Sequence, residues 1–344
     1  MSKAQKILLL AAVLASSSAA LAKSEFIRPD KIVMLWDYIG RKGENLRPEK
    51  RIVHRGLDVV SPTWFSLRNP RGDVSSLADK EYVRWAHENG IKVWALFENS
   101  SNGTLTFRAL MNNDSRKRII EQIAEYALEY SLDGINIDFE ALRANTGVYF
   151  EMFIEELYEK LKPMGITLSV DIPLPLRGSR GVYGLANIAE NSDYIVVMAY
   201  DQHHVGSETP GPVAEINWVK QGIDETLRHV PPGKVILGIP FYTRIWVESI
   251  RGGSSGFRSE LKGMKEAFEL FSLSGSEWER DAETGQIYSE YTEGRNRHRA
   301  WLEDEHSLSL KLDAIVDYNL AGMSAWRRGW EWEETWDMVD AYFE

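Results

Sequence analysis

The chain contains no cysteine among its 344 residues. That absence excludes disulfide bonds, lipid attachment through a cysteine, and metal sites built from thiolates. A chain of this length buries enough apolar surface to fold without such cross-links. Histidine is also sparse, because only His203 and His204 lie together among the seven, and adjacent residues rarely bind one ion together. We therefore predict no metal site and no cofactor.

Positive charge is in deficit, since 40 Lys and Arg stand against 51 Asp and Glu, for a formal net charge of −11. Nucleic-acid phosphates are bound by clustered lysines and arginines. The charge balance therefore argues against nucleic acid as a partner, although it does not identify a substrate.

Long apolar runs are missing, apart from one near the N-terminus at Ile7–Leu14. Two lysines precede this run, and the small residues of Ala20–Ala22 follow it, an order typical of a secretory signal peptide over residues 1–22. The run is short and serine-rich for a membrane span, with an uncleaved anchor as the alternative. We expect the mature chain, residues 23–344, to be a monomer without a membrane span, secreted or held in the cell envelope.

Strand-like and helix-like segments alternate along the mature chain, which predicts a parallel sheet with helices outside it. Helical patterns occur notably over Ser75–Asn89, Asp114–Tyr130, Thr146–Leu161 and Pro212–His229. Eight βα units in a chain of this length fit an α/β fold of the (β/α)8 or TIM-barrel type. The eight predicted strands are Ile32–Tyr38, Leu57–Ser66, Ile91–Glu98, Gly134–Glu140, Ile166–Ile172, Tyr194–Asp201, Val235–Tyr242 and Gly322–Trp326.

The interval between the seventh strand and the next barrel helix is too long for a simple loop. It contains a Gly/Ser-rich turn at Gly252–Gly256, a helical pattern around Leu261–Phe271, and strand-like pieces around Gln286–Tyr291 and His298–Leu302. We interpret residues from about 244 to 303 as a small α+β insertion on the catalytic face, forming one wall of a cleft.

The most informative stretch is the octapeptide from Asp133 to Glu140, Asp-Gly-Ile-Asn-Ile-Asp-Phe-Glu. Because alternate residues of a strand point to opposite faces, Asn136, Asp138 and Glu140 share one face, and the other face is apolar. Burying such groups is unfavourable unless they are paired or used. Coupling between two carboxylates raises the pKa of one, which suits a general acid. An acidic cluster holding a cation or an arginine is the alternative.

The octapeptide is similar to the Asp-x-x-Asp-x-Asp-x-Glu signature of glycoside hydrolase family 18, the chitinase-like family, with Asn136 replacing the middle aspartate. The resemblance implies a retaining glycosidase whose substrate supplies its own nucleophile, the 2-acetamido oxygen. Glu140 would protonate the glycosidic oxygen and then act as base on water. Asp138 would orient the acetamide N–H, and Asp133 would buttress the strand. Asn136 would line the site and alter its pH profile.

Two later strand ends also resemble family motifs. Met198-Ala-Tyr200-Asp201 matches Met-x-Tyr-Asp, which implies that Tyr200 bonds the acetamide carbonyl, Asp201 bonds sugar hydroxyls and Met198 packs beneath the ring. By themselves, such residues on a buried strand are more often part of the core. Pro-Phe-Tyr242-Thr-Arg244 is similar to Pro-Phe-Tyr-Gly-Arg. Tyr242 and Arg244 are candidate cleft residues, with a structural ion pair for the arginine equally open.

Aromatic residues near strand ends are further candidates for sugar contacts. Trp326 fits the family's closing tryptophan, the floor of the −1 subsite, with a core position as the alternative. Trp36, Tyr38 and Trp64 are candidates on position alone. Chitinases carry Ser-x-Gly-Gly on the third strand, whereas this chain has Val93–Asn99 there, which argues against a chitin-chain groove.

Segments Ser61–Ser66 and His298–Asp304, together with Asn136, look like the spore-germination and cortex-lytic branch of the family. That branch acts on N-acetylglucosamine in peptidoglycan. We predict an exported glycosidase that cleaves β-1,4 bonds at N-acetylglucosamine units, with peptidoglycan favoured. The alternatives are a chitinase or chitooligosaccharide hydrolase, a non-catalytic sugar-binding protein on the same barrel, and a metal-dependent barrel hydrolase.

Overall fold

The computed structural model describes residues 31–44, 52–176, 182–250 and 256–343. The predicted signal peptide and most of the Gly/Ser-rich turn lie outside these residues. Eight parallel strands close into a barrel, because the first strand pairs with both the second and the last. The predicted TIM barrel is confirmed. Its strands are β1 (Ile32–Asp37), β2 (Val59–Leu67), β4 (Lys92–Glu98), β5 (Gly134–Asp138), β6 (Thr167–Pro173), β7 (Tyr194–Met198), β8 (Val235–Pro240) and β14 (Gly322–Trp326).

Helices surround the barrel, and one of them begins later than predicted. A short strand, β3 (Val74–Ser76), pairs with β2 and occupies the start of the segment predicted as helix. The helix begins after Asp79, whose side chain accepts hydrogen bonds from two backbone N–H groups of the first turn. Within the described ranges the helices are α1 (Lys80–Glu88), α2 (Gly103–Leu110), α3 (Asn113–Glu129), α4 (Gly147–Leu161), α5 (Leu185–Glu190), α6 (Ile216–Thr226), α7 (Met264–Ser274), α8 (Glu305–Asp317) and α9 (Thr335–Phe343).

The two faces of β5 behave as strand alternation predicts. Ile135, Ile137 and Phe139 are fully buried between the sheet and the helices. Phe139 stacks on Phe153 of α4 with ring centroids 5.6 Å apart. Because the outward face is anchored by this packing, the other face of the strand is directed into the barrel.

The lower part of the barrel interior is filled with apolar side chains, so the barrel is a packed core rather than a pore. Trp94 is the largest of them at that level, and it fits because the neighbouring residue is Gly134. A Cβ added at Gly134 would lie 2.5 Å from the Trp94 ring. Polar side chains above this plug therefore meet at the C-terminal end of the strands. The interior cluster consists of Met34, Trp36, Val59, Trp94, Leu96, Val196, Met198 and Ile236.

A second, antiparallel sheet of five strands occupies the long interval after β8. The strands are β9 (Tyr242–Ser249), β10 (Phe257–Gly263), β11 (Trp278–Arg280), β12 (Ile287–Glu293) and β13 (Asn296–Leu302). The order of the strands in the sheet is β10-β9-β13-β12-β11, and helix α7 packs on the sheet. Thr243 joins the start of the insertion to its end, since its hydroxyl accepts a hydrogen bond from the Glu303 N–H at 3.1 Å.

In the described ranges, each helix is too short or too polar to span a membrane.

Candidate active site

Asn136 is the hub of a hydrogen-bond network inside the mouth of the barrel. Its side-chain oxygen accepts from the Trp36 indole N–H at 3.0 Å and from the Ser61 hydroxyl at 3.2 Å. Its amide nitrogen donates to the Ser169 hydroxyl at 3.0 Å and to Asp171 Oδ1 at 2.6 Å. Four strands are thereby joined through one side chain. Asn136 and Trp36 are buried beneath the cleft, so the structure gives them a supporting position instead of the predicted substrate contact.

Asp138, which is partly exposed, and buried Asp171 form an acidic pair beside Asn136. Oxygen Oδ1 of Asp138 and Oδ2 of Asp171 are both buried, and neither has a hydrogen-bond partner among the described residues. Burial raises the pKa of Asp138 well above its ordinary value, and repulsion from Asp171 and Glu140 raises it further. Burial also raises the pKa of Asp171, while the hydrogen bond from Asn136 opposes that rise. The pair therefore favours holding a proton over carrying two negative charges.

Glu140 follows β5 and is held by the loop that leaves β4. The Asn99 side chain accepts from the Glu140 N–H at 3.0 Å and donates to the Glu140 carbonyl at 2.8 Å. The Ser101 hydroxyl donates to Glu140 Oε2 at 2.7 Å. The carboxylate remains partly exposed to the cleft. These hydrogen bonds hold both backbone groups of Glu140, and the contact with Ser101 positions its carboxylate at the mouth of the barrel.

The backbone around this site is strained. Ser100, Ser101, Ala141 and Asp201 have φ angles of 54°, 48°, 50° and 57°, in the left-handed region that favours glycine. All four follow strand ends at the same face of the barrel. Such conformations persist where the surrounding structure imposes them, and they concentrate at functional sites.

Tyr200 and Asp201 directly follow β7, and both contact Tyr242. The Tyr200 ring packs edge-on against Trp36 and against Tyr242, with 6.1 Å between centroids in each case. Asp201 Oδ1 accepts from the Tyr242 hydroxyl at 2.8 Å and from Arg244 Nη2 at 3.0 Å. Arg244 therefore forms the structural ion pair with a barrel carboxylate that the sequence left open. Burial raises the pKa of Tyr200 well above its ordinary value, which keeps its hydroxyl protonated.

Trp326 lies at the end of β14 and is partly exposed, with its ring centroid 6.1 Å from that of Trp36. Met198 is buried in the same interior cluster. Tyr38 follows β1 and is 48% exposed. An exposed tyrosine and a partly exposed tryptophan above buried Met198 give the mouth an apolar floor that suits the C–H faces of a sugar ring.

Trp64 is not in the cleft, which corrects its assignment as a sugar contact. It is 1% exposed and packs against Tyr82 of α1, with ring centroids 5.4 Å apart. Along β2, Val59 and Ser61 face the barrel interior, whereas Val60 belongs to the core outside it. Strand alternation therefore places Trp64 on the outer face with Val60, toward the helices.

Asp133 lies at the opposite end of β5 from the site. It accepts a hydrogen bond from the Val93 N–H at 2.8 Å and pairs with His87 Nε2 at 2.8 Å. These contacts tie β5 to β4 and α1. The histidine pair singled out in the sequence makes loop contacts, since His203 Nδ1 lies 3.0 Å from the Pro212 carbonyl. Among the described residues, no group of three or more His, Asp or Glu could hold a metal ion.

Asp171, Asn99 and Ser101 are the site residues that sequence reasoning missed. Asp171 ends an apolar strand in the sequence Ser-Val-Asp-Ile-Pro, and Asn99 directly follows another. The available signal was position, because polar residues at the C-terminal ends of barrel strands converge on one face. That rule selects many residues, and the register of neighbouring strands is needed to choose among them.

Comparisons with known proteins agree with this geometry. The chain is 26% identical over 298 residues to the uncharacterized glycosylase YvbX of Bacillus subtilis, covering 83% of this chain and 85% of that protein. It is 25% identical over 243 residues to the cortical fragment-lytic enzyme of the same species, covering 69% of this chain but 56% of the relative.

Among solved structures, the C-terminal domain of a putative chitinase from Desulfitobacterium hafniense superposes with a TM-score of 0.81 at 25% identity. The superposition covers 92% of this chain and 100% of that domain. The family model described as glycosyl hydrolases family 18 matches residues 23–330. A match over that span, with the acidic strand end and the barrel in place, shows that the chain belongs to glycosyl hydrolase family 18 and is a glycoside hydrolase.

Proposed function

We propose that the protein is an exported, retaining glycosidase that cleaves β-1,4 bonds at N-acetylglucosamine units of peptidoglycan by substrate-assisted catalysis. The observation that carries the proposal is the pairing of two partly exposed acids, Glu140 and Asp138, of which Asp138 keeps a buried Oδ1 without a partner among the described residues. The first group suits proton exchange with the cleft. The second offers an acceptor for a substrate N–H that the protein itself leaves unsatisfied.

In the proposed first step, Glu140 donates its proton to the glycosidic oxygen as the bond to the anomeric carbon breaks. The 2-acetamido carbonyl oxygen attacks that carbon and forms an oxazolinium ion. Asp138 accepts a hydrogen bond from the acetamide N–H and stabilises the positive charge. In the second step, Glu140 takes a proton from water as the water oxygen bonds to the anomeric carbon. The bond from that carbon to the acetamide oxygen breaks, which restores the acetamido group with overall retention. The Tyr200 hydroxyl, which makes no hydrogen bond within the described residues, donates to the acetamide oxygen.

Asp171 supplies the carboxylate that the family signature places at position 136. Its Oδ1 lies 2.6 Å from Asn136 Nδ2, so a carboxylate lies beside the amide on the neighbouring strand. The neutral Asn136 keeps the Trp36 and Ser61 donors satisfied. Asp171 keeps a carboxylate beside Asp138. We infer that this acid holds Asp138 in the protonation state from which the acetamide is bound.

Peptidoglycan is favoured by the similarity to the cortical fragment-lytic enzyme and by the sequence motifs shared with that branch. Chitin oligomers are the second candidate, because the Desulfitobacterium relative is a putative chitinase. Export is supported by the signal-peptide pattern of residues 1–22. A silent sugar-binding protein is disfavoured because Glu140 is present and is clamped toward the cleft.

The test is product analysis by mass spectrometry, with purified peptidoglycan and chitin oligomers as separate substrates. The full chain is expressed in a secreting host, and the mass of the recovered protein reports whether cleavage follows Ala22. We expect new reducing-end N-acetylglucosamine products from peptidoglycan. Glu140→Gln should lower turnover at least about 10²-fold, because an amide cannot donate the proton, and should retain glycan binding.

The matched control is Glu121→Gln, which removes the same charge from an exposed residue of α3 that pairs with Lys160. This variant should keep full turnover. Glycans left intact by the wild type, with binding retained, would make the sugar-binding alternative the better description. Turnover of Glu140→Gln at the wild-type rate would exclude the mechanism even if products appear.

A further inference from the structure

Arg327 is a half-buried cation beside the cleft, held by contacts with aromatic rings. It directly follows Trp326 at the end of β14 and is half-buried. Its guanidinium lies over the Trp330 ring at 4.0 Å from the centroid and over the Tyr38 ring at 5.0 Å. Within the part of the chain that the structure describes, its guanidinium makes no hydrogen bond and no salt bridge to a carboxylate. The two aromatic rings contact this charge without neutralising it.

Two other arginines near the cleft, both in the described ranges, are paired. Arg244 binds Asp201 at 3.0 Å, and Arg328 lies 3.4 Å from Asp37. Both of these arginines are buried. The contrast indicates that the cation at position 327 has a different role from the ion pairs that bind the strand ends together.

The ring contacts of Arg327 leave its hydrogen-bond donors unused. A guanidinium is planar, and its five N–H donors point outward in that plane. The contacts with Trp330 and Tyr38 use none of these donors. Partial burial lowers the pKa of Arg327 while nearby Asp37 raises it, and an arginine stays charged at neutral pH. The result is a rigidly held fork of the type that binds carboxylates bidentately.

The position of Arg327 relates that fork to the proposed sugar subsite. Trp326, the neighbouring residue, contributes to the floor of the mouth, and β14 pairs directly with β1, after which Tyr38 lies. Trp330 packs against Tyr242 at the base of the second sheet, with ring centroids 5.8 Å apart. Arg327 thus lies at the rim between β1, β14 and the wall, next to the sugar whose bond is cleaved.

We propose that Arg327 forms a carboxylate-binding subsite that recognises the acidic substituent of the sugar next to the cleaved N-acetylglucosamine. In peptidoglycan that substituent is the 3-O-lactyl group of the neighbouring muramic unit, or the peptide attached to it. Chitin carries no carboxylate at this position. The inference rests on the proposed function and deepens it, because it assigns a residue to the choice between an acidic and a neutral glycan.

The test compares wild type with Arg327→Gln on three purified substrates: peptide-free muramic strands, peptide-bearing strands and chitin oligomers. On the acidic strands we expect kcat/KM to fall at least about tenfold, mainly through KM, because a charged hydrogen-bonding partner is lost. On chitin oligomers it should change by less than about twofold. A loss confined to peptide-free strands identifies the lactyl carboxylate, and a loss confined to peptide-bearing strands identifies the stem.

Two controls separate recognition from folding. Arg228→Gln replaces an exposed arginine that follows α6 and pairs with Glu225. This variant should leave kcat/KM unchanged on all three substrates. Blocking the substrate carboxylates as methylamides should lower the wild-type rate to that of Arg327→Gln and leave the variant unaffected. Arg327→Lys should recover part of the preference, since it restores the charge without the fork.

Equal losses for Arg327→Gln on acidic and neutral glycans would overturn the inference and leave the proposed function standing, because the residue would then only support the floor. If wild type cleaves chitin oligomers alone and neither muramic strand competes for the site, the peptidoglycan proposal and the subsite both fail.

Discussion

Two buried acidic clusters in this protein are assembled in opposite ways. At the junction between β13 and α8, Glu303 Oε2 accepts from Lys311 Nζ at 2.9 Å and from the Ser307 hydroxyl at 2.7 Å. Its other oxygen accepts from the Gln286 amide at 2.6 Å. At the mouth of the barrel, Asp138 and Asp171 each keep one buried oxygen without a partner among the described residues.

Burial raises the pKa of the acids in both clusters, but only the junction opposes it with a cation. For Glu303, the charge of Lys311 and the hydrogen bond from Ser307 counteract burial. For Asp138, the neighbouring acids add to it. A buried charge that accepts hydrogen bonds on both oxygens holds elements together, whereas a carboxylate with a buried oxygen that accepts none is unfavourable to folding and available to a ligand. The difference separates a structural acid from a functional one.

The largest effect should come from breaking the junction. Lys311→Met leaves Glu303 buried without its cation, and we expect the free energy of unfolding to fall by about 3–5 kcal/mol. Urea denaturation followed by tryptophan fluorescence measures this change. The rate per folded molecule should stay within about twofold, because the pair does not touch the cleft.

The matched control for the junction is the double variant Glu303→Gln with Lys311→Met. A neutral amide can keep the hydrogen bonds to Ser307 and Gln286, so most of the lost stability should return. A single variant that unfolds within about 1 kcal/mol of wild type would show that the junction pair does not stabilise the fold, contrary to the comparison.

Asp138→Asn should lower activity without lowering stability, the opposite of the effect expected for Lys311→Met. We expect kcat/KM to fall about 10²-fold, equivalent to about 2.7 kcal/mol, because the substrate N–H loses a carboxylate partner. Stability at neutral pH should be unchanged or higher, since the amide removes a buried charge. Thermal unfolding and turnover of the same preparation measure both quantities.

The sign of the pH effect follows from the raised pKa of Asp138. The folded state holds this proton more tightly than the unfolded chain, whose carboxyl has the ordinary pKa of 3.8. The stabilising effect is complete below that value and is lost as pH rises through the folded pKa. The Asn variant has no such loss, so its advantage in melting temperature should grow from pH 4 to pH 7. A variant less stable than wild type at pH 7 would contradict the assignment.

Much of this contrast was visible in the sequence, and the limits were physical. The octapeptide predicted one polar and one apolar face because strand alternation is a local property. The barrel followed from the alternation of eight strands with helices. Trp64 was wrong because a position near a strand end does not fix which face a residue occupies. Val59 and Ser61 face the barrel interior, so strand alternation puts Trp64 on the outer face with Val60.

The sequence did not predict the role of Asp171, for a different reason. Its role depends on how β6 pairs with β5, where Asn136 lies opposite Ser169 and Asp171 lies two residues further along. Register between strands is set by packing of the whole barrel, which a motif within one strand does not encode. The replacement of the signature aspartate by Asn136 was readable, whereas the carboxylate that takes its place came from another strand.

The smallest and most specific effect should come from removing the carboxylate at position 171 and then placing one at position 136. Asp171→Asn removes repulsion from Asp138, so the pKa of Asp138 should fall and its limb of the pH–rate profile should move to lower pH. We expect kcat/KM at neutral pH to drop roughly tenfold, less than for a group that transfers the proton itself.

Adding Asn136→Asp in the Asp171→Asn background restores one acid beside Asp138 on the family's usual strand, and the limb should return toward its wild-type position. The hydrogen bonds from Trp36 and Ser61 would then reach a carboxylate oxygen in place of an amide oxygen, so the network can persist. If Asp171 only filled space, its variant would lose activity equally at every pH and the second substitution would not recover it. Recovery would instead establish that the site requires one buried acid beside Asp138 and accepts it from either strand.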